Sequence, residues 1–184
     1  MGYGLKELAF VLGRLIDHGV DYVIIGDTVV QLALKTRTFR GDVDLYALEP
    51  SPLIEQEFYG EIAEKEGWGY TTTDIGTPRF IASVGDKEII IEIYENFMDF
   101  NIPLEILESA RSIKLEGYKV KLIKQEEYFV LKARQGIDLE KLSNYIKKLK
   151  KIDLKLIERT IKLFPREEQI LIKNRLASIG LKIK

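Results

Sequence analysis

Residues 22–48 read YVIIGDTVVQLALKTRTFRGDVDLYAL. Tyr22, Val23, Ile24 and Ile25 form a continuous β-prone run that stops at Gly26, and residues 28–34 read as a short helix. Residues 42–48 then alternate polar and apolar with period two, the pattern of a half-buried strand. On that second strand Asp42 and Asp44 share one face, while Val43 and Leu45 point to the core. Two carboxylates in so small a volume raise each other's pKa unless a cation neutralises them. Such a pair on a rigid strand is a way of holding magnesium beside substrate phosphates. Gly26, at the strand-to-helix turn, lets backbone come close to a ligand, and Asp27 and Thr28 open a helix whose N–H groups face a phosphate.

The same reading extends outward. Residues 5–18 carry apolar side chains at the spacing of one helical face, and Gly19 supplies the stop. Ser51 and Pro52 are expected to cap and open a helix running to about Lys65. Residues 68–73, 79–84 and 87–94 are β-rich, with Gly85–Asp86 as a tight turn. In the last of these Glu88, Ile90, Glu92 and Tyr94 alternate against Ile89, Ile91 and Ile93, which makes Glu92 the natural third carboxylate. Residues 103–109 read as a short helix, and 112–115 with 119–123 as a hairpin around Glu116–Gly117. The segments 126–135, 138–150, 153–164 and 166–178 are helical. The fold class is therefore α/β (α+β), with a mixed β-sheet flanked by helices over residues 1–124 and a helical bundle over 125–184.

Composition narrows the chemistry. The 184 residues contain no Cys and one His, which excludes disulfides, thiolate sites and multi-histidine zinc, and leaves a hard, oxygen-bound metal such as Mg2+. No apolar run is long enough to span a bilayer, and Lys6, Glu7 and Arg14 interrupt the N-terminus, so no membrane partner and a cytoplasmic location are expected. Abundant Lys and Glu without Cys match the composition bias of hyperthermophile proteins. Residues 1–110 hold 8 Lys/Arg against 20 Asp/Glu, whereas 111–184 hold 20 against 9. That asymmetry reads either as a nucleic-acid-binding element or as two oppositely charged parts with solvated helix faces.

The run at 22–48, together with IIIEIYEN at 89–96, resembles the nucleotidyltransferase superfamily, the polymerase-β-like fold. That family has a strand ending in Gly-Gly or Gly-Ser, a helix, an Asp-x-Asp pair on the next strand and a third carboxylate on a later one. Here Gly26 takes the first glycine position and Asp42 and Asp44 the pair, with Glu92 as third carboxylate. The branch it looks most similar to includes AbiEii-type toxins and small archaeal members. There a Lys, an Arg and an Asp after the core approach the cleft, and LKARQGIDLEKL offers Lys132, Arg134 and Asp138. The resemblance implies a nucleoside triphosphate substrate, two Mg2+ ions on Asp42, Asp44 and Glu92, and nucleotide contacts from Gly26, Asp27, Thr28, Arg37, Arg40, Lys132 and Arg134. It leaves the acceptor open among a nucleic-acid end, a protein side chain and a small molecule, and adds a second copy or an antitoxin as partner; the basic C-terminal helices point to a tRNA-like acceptor through phosphate contacts.

The chain departs from the motif at Asp27, which stands where the family presents Gly or Ser. Either Asp27 caps the helix through its side chain or it repels the phosphate. The alternative to an enzyme is accordingly a degenerate nucleotidyltransferase fold that binds a nucleotide or partner without catalysis. A third reading is a nucleic-acid scaffold driven by the C-terminal lysines.

Overall fold

The computed structural model describes residues 2–183. Val43, Leu45 and Ala47 are buried along one side of β2 (Val43–Glu49), as period two dictates. Ile89, Ile91 and Ile93 are buried in the same phase along β5 (Lys87–Tyr94). A one-residue slip would send each set to the opposite face, so burial sets the register. The two strands pair in parallel with Asp44 beside Glu92. β1 (Asp21–Ile24) pairs antiparallel with β2 on its other side, and β4 (Pro78–Val84) pairs antiparallel with β5. With β3 (Gly69–Thr72), β6 (Arg111–Leu115) and β7 (Tyr118–Leu122) the sheet runs β3-β4-β5-β2-β1-β7-β6. It is mixed, as the sequence pattern requires: β1–β7 and β2–β5 are parallel and the other pairs antiparallel.

The chain divides into two compact units, one made of residues up to Asn101 with Ala110–Leu122, the other of Ile102–Ser109 with the residues from Ile123 on. The first holds the whole sheet with α1 (Leu5–Asp17), α2 (Thr28–Ala33) and α3 (Gln56–Glu66). The second holds α4 (Leu104–Glu108), α5 (Gln125–Gln135), α6 (Leu139–Lys148), α7 (Leu154–Ile161) and α8 (Arg166–Ser178). The short helix α4 is grouped with the later helices although the hairpin β6–β7 separates them in sequence. Ser109, just after α4, donates to Glu127 on α5 at 2.9 Å, a contact no local pattern encodes.

The α/β unit is cored by Leu8, Leu12 and Leu15 of α1, Tyr59 and Ile62 of α3, and Phe80 with the inward residues of β2 and β5. One expectation needs correction, since α3 starts at Gln56 rather than at Ser51–Pro52. The Ser51 hydroxyl donates to Glu95 Oε1 and accepts from Ile54 N–H, which turns residues 52–54 instead of winding them into the helix. In the helical unit Phe129, Val130, Ala133, Ile157, Ile161, Ile172 and Leu176 are buried. Arg175 Nη1 donates to the Ala133 and Arg134 carbonyls, satisfying two acceptors at the end of α5. Among the described residues no helix is long and apolar enough to cross a membrane.

The ends of α1 and α3 are tied by charge. Arg14 donates to Glu66 through Nε at 2.9 Å and Nη2 at 2.6 Å, and His18 Nε2 lies 2.6 Å from Glu66 Oε1. His18 thus meets a carboxylate as well as the end of its own helix. The Arg14 hydrogen bond, opposed by burial and helped by His18, holds the Glu66 carboxyl at about 2, below its ordinary 4.5. A carboxyl depressed in the folded chain stabilises it above the unfolded pKa and loses that contribution as pH falls through the folded value. Glu66→Gln is therefore expected to unfold at lower urea concentration than wild type at neutral pH. The gap should close as pH falls from about 4.5 to about 2.

Candidate active site

The pleat of three adjacent strands builds the site. Arg79 on β4 is registered against Glu92 on β5, and Glu92 against Asp44 on β2, so the three stand in a row across the sheet. Their neighbours Phe80, Ile91, Ile93, Val43 and Leu45 are buried on the opposite face. Asp42 lies one residue before β2. One nitrogen of Arg79, Nη2, is 3.1 Å from Glu92 Oε1 and 3.7 Å from Asp42 Oδ2. The Tyr94 hydroxyl donates to Glu92 Oε2, so both oxygens of that carboxylate have partners. Burial first, then the Glu92 hydrogen bond and charge and the charge of Asp44, push the Tyr94 hydroxyl well above its usual range. The Tyr94 ring stacks on Phe100 at 4.8 Å, which limits its motion.

Gly26 follows β1 closely, where Ile25 N–H still donates to the Asp44 carbonyl at 3.0 Å. A Cβ on Gly26 would lie 2.0 Å from Asp44 Oδ2, so only glycine leaves room for this carboxylate. Asp27 occupies the position before α2, but its side chain makes no capping hydrogen bond. Gln31 Nε2 donates to Asp27 Oδ1 at 3.2 Å, one turn along the helix, so the expected side-chain cap gives way to a contact with Gln31. The same Gln31 amide donates to the Arg40 carbonyl at 2.8 Å and accepts from the Arg40 N–H at 2.9 Å. It thereby clamps the segment that delivers Asp42.

Tyr3 reports the local field. Its ring stacks on Phe39 and its hydroxyl donates to the Gly41 carbonyl at 3.2 Å. Burial and then the charges of Asp27, Asp42 and Asp44 raise its pKa, and Thr28 opposes the shift. The Thr28 hydroxyl itself is buried and lacks a partner at full hydrogen-bond geometry among the described residues. Tyr3, Asp42, Ser83, Asp86, Lys87 and Glu88 line a cavity of about 640 Å³ on this face.

Of the residues singled out from sequence, Gly26, Asp42, Asp44 and Glu92 come together, with Asp27 and Thr28 next to Gly26 in the chain. Arg37 and Arg40 are exposed on the segment leading to Asp42. Lys132 pairs with Asp138 at 3.2 Å, and Arg134 pairs with Glu168 and lies over the Phe164 ring at 5.1 Å, all inside the helical unit. Sequence reading missed Arg79, Tyr94, Tyr3 and Gln31. Arg79 and Tyr94 were marked only by their phase, polar positions in strands whose alternate residues are buried.

The donors are hard oxygens of the kind magnesium takes. Among the described residues no group of three His, Cys, Asp or Glu converges as a metal site, and Arg79 occupies the position between Asp42 and Glu92. Asp42 and Asp44 still suit an ion that completes its shell with waters and substrate phosphates, the usual arrangement for magnesium.

A sequence model described as "Nucleotidyl transferase of unknown function (DUF2204)" matches residues 4–178. The chain belongs to this family. Among solved structures, it is similar to an antigenic nucleotidyltransferase-like protein from Paracoccidioides brasiliensis, with 17% identity, a TM-score of 0.58, and coverage of 100% of this chain and 97% of that one. The antibiotic-resistance factor ANT(2'')-Ia matches at 15% identity and TM-score 0.46, over 96% of this chain and 84% of that one. The first of these establishes a nucleotidyltransferase-like fold. No curated protein sequence matches the chain.

Because Gly26 presses on Asp44, Gly26→Ala is expected to displace that carboxylate and destabilise the chain by about 1–3 kcal/mol. Equilibrium urea unfolding measures the loss, and a change within error would show that Asp44 is not confined there.

Proposed function

We propose that the chain moves a nucleoside monophosphate from a nucleoside triphosphate to a hydroxyl acceptor, with magnesium. The observation that carries this reading is Asp44 standing beside Glu92 with the Gly26 backbone against it, in a member of a nucleotidyl transferase family. Asp42 and Asp44 are assigned to hold the metal, which when bound polarises the α-phosphate and offsets the charge of the triphosphate. Gly26, Asp27 just before α2 and Thr28 at its first position are assigned to the phosphates. Arg37 and Arg40 are the cations assigned to them, since Lys132 and Arg134 are engaged by Asp138 and Glu168.

Glu92 is assigned to accept the proton of the acceptor hydroxyl. The new bond joins that oxygen to the α-phosphorus, the bond from the α-phosphorus to its bridging oxygen breaks, and pyrophosphate leaves. The basic helices favour an acceptor that is RNA, tRNA-like in its phosphate contacts, over a protein side chain. The second reading, a non-catalytic nucleotide- or partner-binding member, is favoured by one observation: Asp27 is buried at the motif's second position.

Incubation of a cell extract with each α-labelled ribonucleoside triphosphate, magnesium and the protein is expected to label the RNA fraction. Asp42→Asn, folded by circular dichroism, should leave it unlabelled. Label in protein alone would move the acceptor to a side chain, and no label with any nucleotide would favour the binding-only reading.

A further inference from the structure

Glu92 is in the right strand for a third metal ligand, yet its two oxygens already face Arg79 and Tyr94. Arg79 is not a loose surface cation. Six consecutive register pairs, from Arg79 with Glu92 to Val84 with Lys87, fix β4 against β5. Pro78 and Phe80 on either side of Arg79 are buried, so its side chain is committed to the carboxylate face. The guanidinium stays charged at every accessible pH and presents several donors from one plane. Magnesium sheds water reluctantly and requires near-octahedral oxygen ligands, so a second ion at Glu92 would have to expel this guanidinium from Oε1, the oxygen that Tyr94 does not hold.

We propose that Arg79 stands in for the second metal ion: the site takes one divalent cation, at Asp42 and Asp44, and the guanidinium is the fixed positive charge beside Glu92. The inference rests on the nucleotidyl-transfer reading above. It makes Arg79 a residue of the reaction site and removes Glu92 from the metal shell while leaving it free to take a proton through its remaining lone pairs.

The test is a Mn2+ titration of the full chain, followed by electron paramagnetic resonance. An equimolar mixture of the four α,β-methylene ribonucleoside triphosphates is present, with a protein-free control. Wild type is expected to bind one Mn2+ per chain with no spin-coupled signal, because two ions in one such site would lie only about 3.5–4 Å apart and couple. Glu92→Gln should also bind one. Arg79→Ala, checked for folding by circular dichroism, should rise from one to two and show the coupled signal, Asp42 and Glu92 then lacking the guanidinium between them. Two coupled ions in wild type, a lower count in Glu92→Gln, or a count that stays at one in folded Arg79→Ala would each overturn the proposal while leaving nucleotidyl transfer standing. No bound ion in wild type would overturn both.

Discussion

The parallel pairing of β2 with β5 is the constraint on which the rest of the site depends. Val43 and Leu45 meet Ile91 and Ile93 in register and all four are buried, so the apolar face sets the phase of both strands. Asp44 and Glu92 then face the other side together without any attraction between them. The buried row is what keeps two like charges side by side, and the local polar residues answer the repulsion that follows.

Those answers come from different parts of the α/β unit. Arg79 arrives through the β4–β5 hairpin and bridges Glu92 and Asp42. Gly26 contributes by having no side chain, which opens the volume that Asp44 occupies. Gln31 spends both ends of its amide on the Arg40 backbone and so holds the segment before Asp42. Tyr3 and Tyr94 line the acidic field as neutral hydroxyls, each raised in pKa by burial and by the surrounding carboxylates. A cluster of acids is stable here because most of its members have a named partner.

The helical unit shows why composition alone overstates available charge. Its excess of Lys and Arg is real, but Lys132, Arg134 and Arg175 are occupied with Asp138, Glu168 and the last carbonyls of α5. Charge counts describe the long-range field that draws or repels a partner. They do not say which cations are left to touch it.

The alternation at 42–48 and 87–94, the halt at Gly26 and the helical spacing after Gln125 were legible by themselves, because period and breakers act over a few residues. They determined the mixed sheet and the helical C-terminal region. The helix expected at Ser51 failed because Glu95, 44 positions away, takes the Ser51 hydroxyl. The side-chain cap expected of Asp27 failed because Gln31 supplies its partner instead. Arg79 carried no local signal beyond its phase; its meaning arises only when β4 lies beside β5 and β5 beside β2. What the sequence by itself determined was which residues share a face, since that follows from backbone geometry. Which side chains meet across strands was decided by tertiary structure, because strand order and register come from burying apolar faces that lie far apart along the chain.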